Sequence, residues 1–206
     1  MAVSDPYAVV ADYKLYVPKT SSSDDATVLE QLGAASRAID GRLGRFFALD
    51  ASAVAREFIR PVGTDPRVLV VPDIGVSPTG IKIDRNGDGD FDDSGDDTLV
   101  AADWRLWPRN AALGPEARPW TRIDLTVPGD YSVWPDDQLI EVTAQWGWPA
   151  VPDAIKNITI EIVAVLRLGS PRATREISEL GVGRSITQIA NTVLEQHGWP
   201  YRKTRF

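Results

Sequence analysis

Oxygen donors recur at every second position along one stretch of the chain: Asp84, Asn86, Asp88, Asp90 and Asp92. Gly89 falls sixth counting from Asp84, where a sharp turn is required. Hard carboxylate and amide oxygens at this spacing can wrap a Ca²⁺ ion. These five residues are the candidate metal ligands.

The pattern resembles the first half of an EF-hand loop. It departs from one at the end. The twelfth position is Gly95, where a bidentate acid would close the cage, and no helical periodicity follows. The competing reading is a solvated hairpin turn, because Asn-Gly and Asp-Gly are favoured turn dipeptides.

Other chemistry is sparse. His197 is the only histidine and there is no cysteine, so no thiolate site, disulfide or histidine pair can form. Placed at a helix C-terminus, His197 suits the helix dipole better than catalysis. Gly181-Val-Gly183-Arg184 precedes a helix and could face an anion, but it lacks phosphate-loop spacing and follows no strand, so a connector is expected. The acids are concentrated in one loop, with none set in an apolar pocket. No catalytic constellation emerges, and the chain is not expected to be an enzyme.

Seven tryptophans are many for 206 residues. Six sit at strand ends and turns, where core or rim packing is expected. Trp199 differs. It follows the last helix, beside Pro200, Tyr201 and a basic cluster. Aromatics with arginine are typical of interface anchors; the alternative is a tail folded back on its own helix.

The charge distribution sharpens this contrast. Net charge is −7, which argues against a general nucleic-acid binder. Residues 84–97 sum to −6 and the rest of the chain to −1. Residues 198–206 carry Arg202, Lys203 and Arg205 and no acid. An acidic loop and a basic tail thus stand on a balanced surface. No apolar run approaches membrane-spanning length, and Met-Ala-Val-Ser-Asp lacks a secretion-signal pattern. Cytosolic folding and no membrane contact are expected.

The elements that must position these residues follow from periodicity. Ser4 or Asp5 can cap a short helix through Tyr13. Ser21 to Asp25 is a second N-terminal signal. Behind it Val28, Leu32, Ala35, Ile39 and Leu43 recur at three and four, predicting a helix from about 24 to 47. From 54 onward the pattern alternates. Strands are expected at 56–60, 68–71, 80–84, 98–106, 122–127 and 138–146, with the prolines, Pro72 and Pro78 included, between them. A break at Gly147 and Pro149 leads to Pro152 and a helix to 168, apolar on more than one face. Residues 169–184 read as a loop. A final helix starts near Ser185 and stops at Gly198 and Pro200.

The expected fold is α+β: a bundle of a long N-terminal helix and two C-terminal helices, with an inserted antiparallel β-sandwich or barrel-like domain. The expected divisions are 1–53 helical, 54–148 β insert, 149–198 helical and 199–206 an extended tail.

Four stretches in this order resemble the head-to-tail connector (adaptor, or head-completion) proteins of long-tailed bacteriophages. They are Ala34-Ala-Ser-Arg-Ala-Ile-Asp-Gly-Arg-Leu-Gly-Arg-Phe-Phe47, Ile81-Lys-Ile-Asp-Arg-Asn-Gly-Asp-Gly-Asp90, Asp103-Trp-Arg-Leu-Trp-Pro-Arg-Asn110 and Trp146-Gly-Trp-Pro-Ala-Val-Pro-Asp-Ala-Ile155. None is a catalytic signature, and the β insert is longer than in compact helical members.

The resemblance implies a virion structural protein of the phage neck, assembled in the host cytoplasm. It implies a ring, commonly of twelve copies, beneath the portal. Such a ring extends the DNA channel without binding DNA specifically and docks the next neck or tail protein. The resemblance also makes Trp199, Tyr201, Arg202, Lys203, Arg205 and Phe206 portal-contact candidates. A near-neutral or acidic channel wall would suit DNA passage. The reading from another class is a Ca²⁺-dependent β-sandwich module that binds carbohydrate or protein through Asp84, Asn86, Asp88, Asp90 and Asp92. Apart from that Ca²⁺, no cofactor is expected.

Overall fold

The computed structural model describes residues 5–18, 20–61, 63–92, 94–111, 117–126, 131–168 and 186–197. The chain divides into two compact units, Met1–Ala48 with Val151–Phe206, and Leu49–Ala150. Among the described residues the first is helical and the second a six-stranded antiparallel sheet, so the class is α+β.

The helical unit is built on α2 (Asp25–Leu43). Its apolar residues at three-and-four spacing, Val28, Leu32, Ala35, Ile39 and Leu43, are all buried. The helix stops four residues before the periodicity suggested. Gly44 takes a left-handed conformation (φ 65°) and its N–H closes on Asp40 O at 2.8 Å. Glycine reaches that backbone region without strain, so this residue ends the helix.

Helix α1 (Val10–Tyr16) begins later than the Ser4/Asp5 cap predicted, and no side chain caps it. The reason is a tertiary contact. Tyr7 is drawn onto α2, its N–H donating to Ser36 Oγ at 3.0 Å, and the helix starts beyond it. Helix α3 (Asp153–Leu168) is buried broadly through Ile155, Ile158, Ile160, Ile162, Val163 and Ala164. Helix α4 (Ile186–His197) buries Ile189, Ala190, Val193 and Leu194. Arg167 Nη2 reaches Asp24 Oδ2 at 2.6 Å, so α3 runs antiparallel to α2.

The sheet unit comprises β1 (Val54–Phe58), β2 (Val68–Ile83), β3 (Asp97–Leu99), β4 (Trp104–Trp107), β5 (Trp120–Leu125) and β6 (Ile140–Trp146). Their order is β1-β6-β2-β5-β4, with β3 also on β2. The expected strands 68–71 and 80–84 are one strand, passing through Pro72 and Pro78. Each proline sits where the pairing slips: Pro72 between the pairs Val70↔Arg122 and Ile74↔Trp120, Pro78 between Val76↔Gln145 and Gly80↔Thr143. A bulge needs no ladder N–H at that point, which removes the objection to proline. The single strand expected at 98–106 is instead β3 and β4. Buried Asp103 makes the turn between them, its Oδ2 accepting from Val100 N at 2.9 Å.

Strand β2 must curl. Leu99 pairs with Ile81, while Trp104 pairs with Leu125, whose N–H bonds Arg67 O. From Leu99 to Trp104 the chain spans at most ~18 Å. A straight strand from Arg67 to Ile81 would cover roughly 46 Å. The bulges take up the difference. The curled sheet encloses one core that includes Leu69, Ile74, Ile81, Ile123, Trp134 and Trp146.

The strands close against each other where the chain leaves the sheet. A Cβ added at Gly75 would lie 2.4 Å from Leu49 Cδ1 and 3.0 Å from the Gly147 carbonyl oxygen. Gly75→Ala is therefore expected to destabilise the sheet unit by ~1–3 kcal/mol, since the backbone oxygen cannot swing away. Urea unfolding should show the lower midpoint, and an unchanged midpoint would contradict this packing.

Candidate functional site

The acidic stretch joins β2 to β3, and its carboxylates are turned onto the local backbone. Buried Asp84 accepts from Gly87 N at 2.6 Å and Gly89 N at 3.0 Å, one through each oxygen. Asn86 Oδ1 accepts from Asp88 N, Asp88 Oδ1 from Asp90 N, and Asp90 Oδ1 from Asp92 N, all at 3.0–3.1 Å. Gly87 and Gly89 have φ of 76° and 87°, which the successive turns require. The alternating spacing read from sequence is thus a ladder of side-chain-capped turns. Among the described residues no three acidic or histidine side chains converge as a metal centre needs.

The charge continues onto the outer face of the sheet. Glu57 pairs with Glu141, and Glu141 with Lys82 on its other side. Lys82 Nζ meets Asp92 Oδ1 at 2.6 Å. That bond holds the lysine above its ordinary pKa and Asp92 below the usual carboxylate value. Arg85 pairs with Asp97 at the base of the loop.

A second surface escaped the sequence reading. Trp107 on β4 pairs with Arg122 on β5, and Arg122 with Val70 on β2. The Arg122 guanidinium lies 5.0 Å from the Trp107 ring centre and its Nη2 is 2.7 Å from Asp124. Trp107 and Val70 are exposed. Tryptophan and arginine side by side on an outer sheet face have the composition of an interface anchor. The alternation in β5 was legible, but these neighbours depend on cross-strand register, which no single strand encodes.

Among the described residues of the helical unit is a largely buried polar cluster. Tyr7 donates its hydroxyl to Asp40 and accepts from Phe47 N at 2.9 Å. Arg37 Nε lies 3.1 Å from Asp40 Oδ2, and its guanidinium covers the Tyr7 and Phe46 rings. Burial, then Asp40, pushes the Tyr7 hydroxyl far above the tyrosine range. Burial also raises Asp40, against the hydrogen bond from Tyr7 and the charge of Arg37. The cluster ties the entering chain to α2 and to the segment after Gly44. Its polar atoms are spent on bonds within the chain, which fits a structural tie rather than a reacting group.

His197 is the last residue of α4. Trp199, Tyr201, Arg202, Lys203, Arg205 and Phe206 lie outside the described residues, as do 169–185 with the Gly181–Gly183 motif. No described helix is long and apolar enough to cross a membrane.

No protein-family model matches the chain, and no curated protein matches it. Solved structures that contain similar chains include two particle necks. One is the neck of an empty GTA (gene transfer agent) particle computed with C6 symmetry, 18% identical over 98% of this chain and 96% of that one, with a TM-score of 0.48. The other is the neck of a native GTA particle computed with C12 symmetry, also 18% identical over 98% and 96%, with a TM-score of 0.44.

Proposed function

We propose that the chain is a non-enzymatic structural protein in the neck of a phage-like particle. In this reading it is a connector. Copies of it, twelve by the resemblance, form a ring beneath a portal, continue the DNA channel and offer a surface to the next neck or tail protein.

The observation that carries the reading is where the four resembling stretches fall. Residues 34–47 hold the second half of α2, its Gly44 stop and the Phe47 N–H that anchors Tyr7. Residues 81–90 hold the end of β2 and the start of the acid ladder. Residues 103–110 hold the Asp103 turn and β4. Residues 146–155 hold the exit from β6 and the first turn of α3. All four occupy joints between elements, where sequence dictates how the chain turns. The neck is also the setting of the two solved chains above.

The physical chemistry is compatible with the role. Exposed acids such as Asp88 and Asp90 would repel phosphate if they lined a channel, so DNA would slide rather than stick. A basic, aromatic tail suits a partner offering carboxylates and apolar pockets. Ring closure would multiply individually weak contacts. Trp199, Tyr201, Arg202, Lys203, Arg205 and Phe206 are the proposed portal contacts.

Mass photometry of the chain with and without purified portal tests the proposal. A portal-bound ring is expected only in the mixture. A monomer indifferent to portal would overturn it.

A further inference from the structure

The helical unit carries an uncovered groove between α1 and α3. Asp12, Leu15 and Tyr16 form one wall, and Asp153, Lys156 and Ile160 the other, around a space of about 540 Å³. Leu15 is 82% and Tyr16 62% exposed, the highest values among the large apolar side chains described. Helix α1 has seven residues, too few to persist alone. The Lys14–Asp25 ion pair at 2.6 Å ties it to α2, and its Tyr13 is buried. Among the described residues nothing covers its Leu15 and Tyr16 side chains.

We propose that this groove seats the chain's own C-terminal segment, residues 198–206. The first argument is charge. The segment carries Arg202, Lys203 and Arg205 and no acid. The groove offers two carboxylates, Asp12 and Asp153, against the single cation Lys156, which is already 3.3 Å from Asp153. The second is apolar match: Trp199, Tyr201 and Phe206 can cover Leu15, Tyr16 and Ile160.

The third argument is reach. Glu195, in the last turn of α4, lies 3.3 Å from Arg42 near the end of α2. Because α3 is antiparallel to α2, the chain leaves α4 at the end of the bundle where α3 begins, which is the Asp153 end of the groove. The nine residues that follow can extend ~30 Å. The groove wall from Asp153 to Ile160 runs only roughly 10 Å along α3. A link this short holds its end at an effective concentration of roughly millimolar, so modest contacts suffice. Any partner that takes the tail would first displace it from the groove.

The absence of cysteine makes the test direct. Asn157→Cys, beside the groove, and Thr204→Cys are introduced together and treated with a short bismaleimide. The expected product is a crosslink within one chain, with a yield that does not fall on dilution. Crosslinked dimers that vanish on dilution would give the groove to a neighbouring copy and overturn the proposal, as would no crosslink at all.

A second readout uses fluorescence. Trp199 is the only tryptophan outside residues 49–150, so subtracting the spectrum of Trp199→Phe isolates its emission. An apolar-type emission is expected, moving to a water-exposed one in Leu15→Asp. That substitution lies on an exposed side chain and should leave the fold intact. Water-exposed emission from the unaltered chain, or no response to Leu15→Asp, would refute the docking. Both readouts use the chain alone, so they succeed or fail independently of portal binding.

Discussion

Trp146→Ala is expected to remove most of the stability of the sheet unit. Trp146 is 2% exposed at the end of β6, the strand that pairs with both β1 and β2. Its Nε1 donates to Val54 O at 2.7 Å, Arg56 lies 4.6 Å over its ring, and Phe58 packs 5.6 Å away. Truncation opens a cavity worth ~3–5 kcal/mol. It also leaves the Val54 carbonyl without its side-chain donor, at a further ~1 kcal/mol. A domain of this size has a total margin of roughly 5–15 kcal/mol. The unfolding midpoint should therefore fall by on the order of 20 °C. Trp146→Phe keeps most of the ring contacts and loses the hydrogen bond, so its effect should be the smaller. Calorimetry comparing the two decides; equal midpoints would mean that the indole does not anchor β1 to β6.

Tyr7→Phe should have the next largest effect, in the helical unit. It leaves the Phe47 N–H without its acceptor and Asp40 without its shortest donor, at a cost of roughly 2–4 kcal/mol. The same cluster gives stability a recognisable pH dependence. Asp40 is raised above its ordinary 3.8, chiefly by burial, so the folded chain keeps a proton that the unfolded chain has released. Unfolding free energy therefore falls as pH rises from 3.8 through the folded value, then levels. Asp40→Asn should lack this acid-side fall. Tyr7 is raised above 10.0, first by burial, so stability falls again as pH climbs past 10. Tyr7→Phe should make that alkaline fall shallower. Urea midpoints across the pH range, native against each variant, check both signs. A rise in stability with pH in the acid window that Asp40→Asn removes would show that Asp40 is lowered instead.

Much of the architecture was legible in the sequence because its signals are local. The spacing from Val28 to Leu43 gave α2, and Ile140, Val142, Ala144 and Trp146 alternate through β6 as the burial does. The errors came where a specific side-chain or tertiary contact overrode the pattern rule. Prolines normally end strands, but Pro72 and Pro78 lie in bulges created by the curl of β2. Asp103 splits the expected strand 98–106 because its carboxylate captures Val100 N. Tyr7 delays α1 because its partners, Ser36 and Asp40, lie far along the chain. The candidate sites show the same division. The repeat from Asp84 to Asp92 is plain in sequence, yet the direction its carboxylates face depends on backbone turns at Gly87 and Gly89. The Trp107–Arg122–Val70 row is invisible until three strands are aligned.

The helical unit draws on both ends of the chain, which governs how it can form during synthesis. Arg42 meets Glu195, a partner 153 residues away. On the ribosome, α2 emerges with Val28, Leu32 and Ile39 uncovered, and α3 and α4 arrive only after the whole sheet has been made. At ~5–20 residues per second that interval is roughly 7–30 s. For that time the nascent chain displays an apolar stripe of the kind that holding chaperones bind, and the bundle closes only after α3 and α4 have followed the sheet.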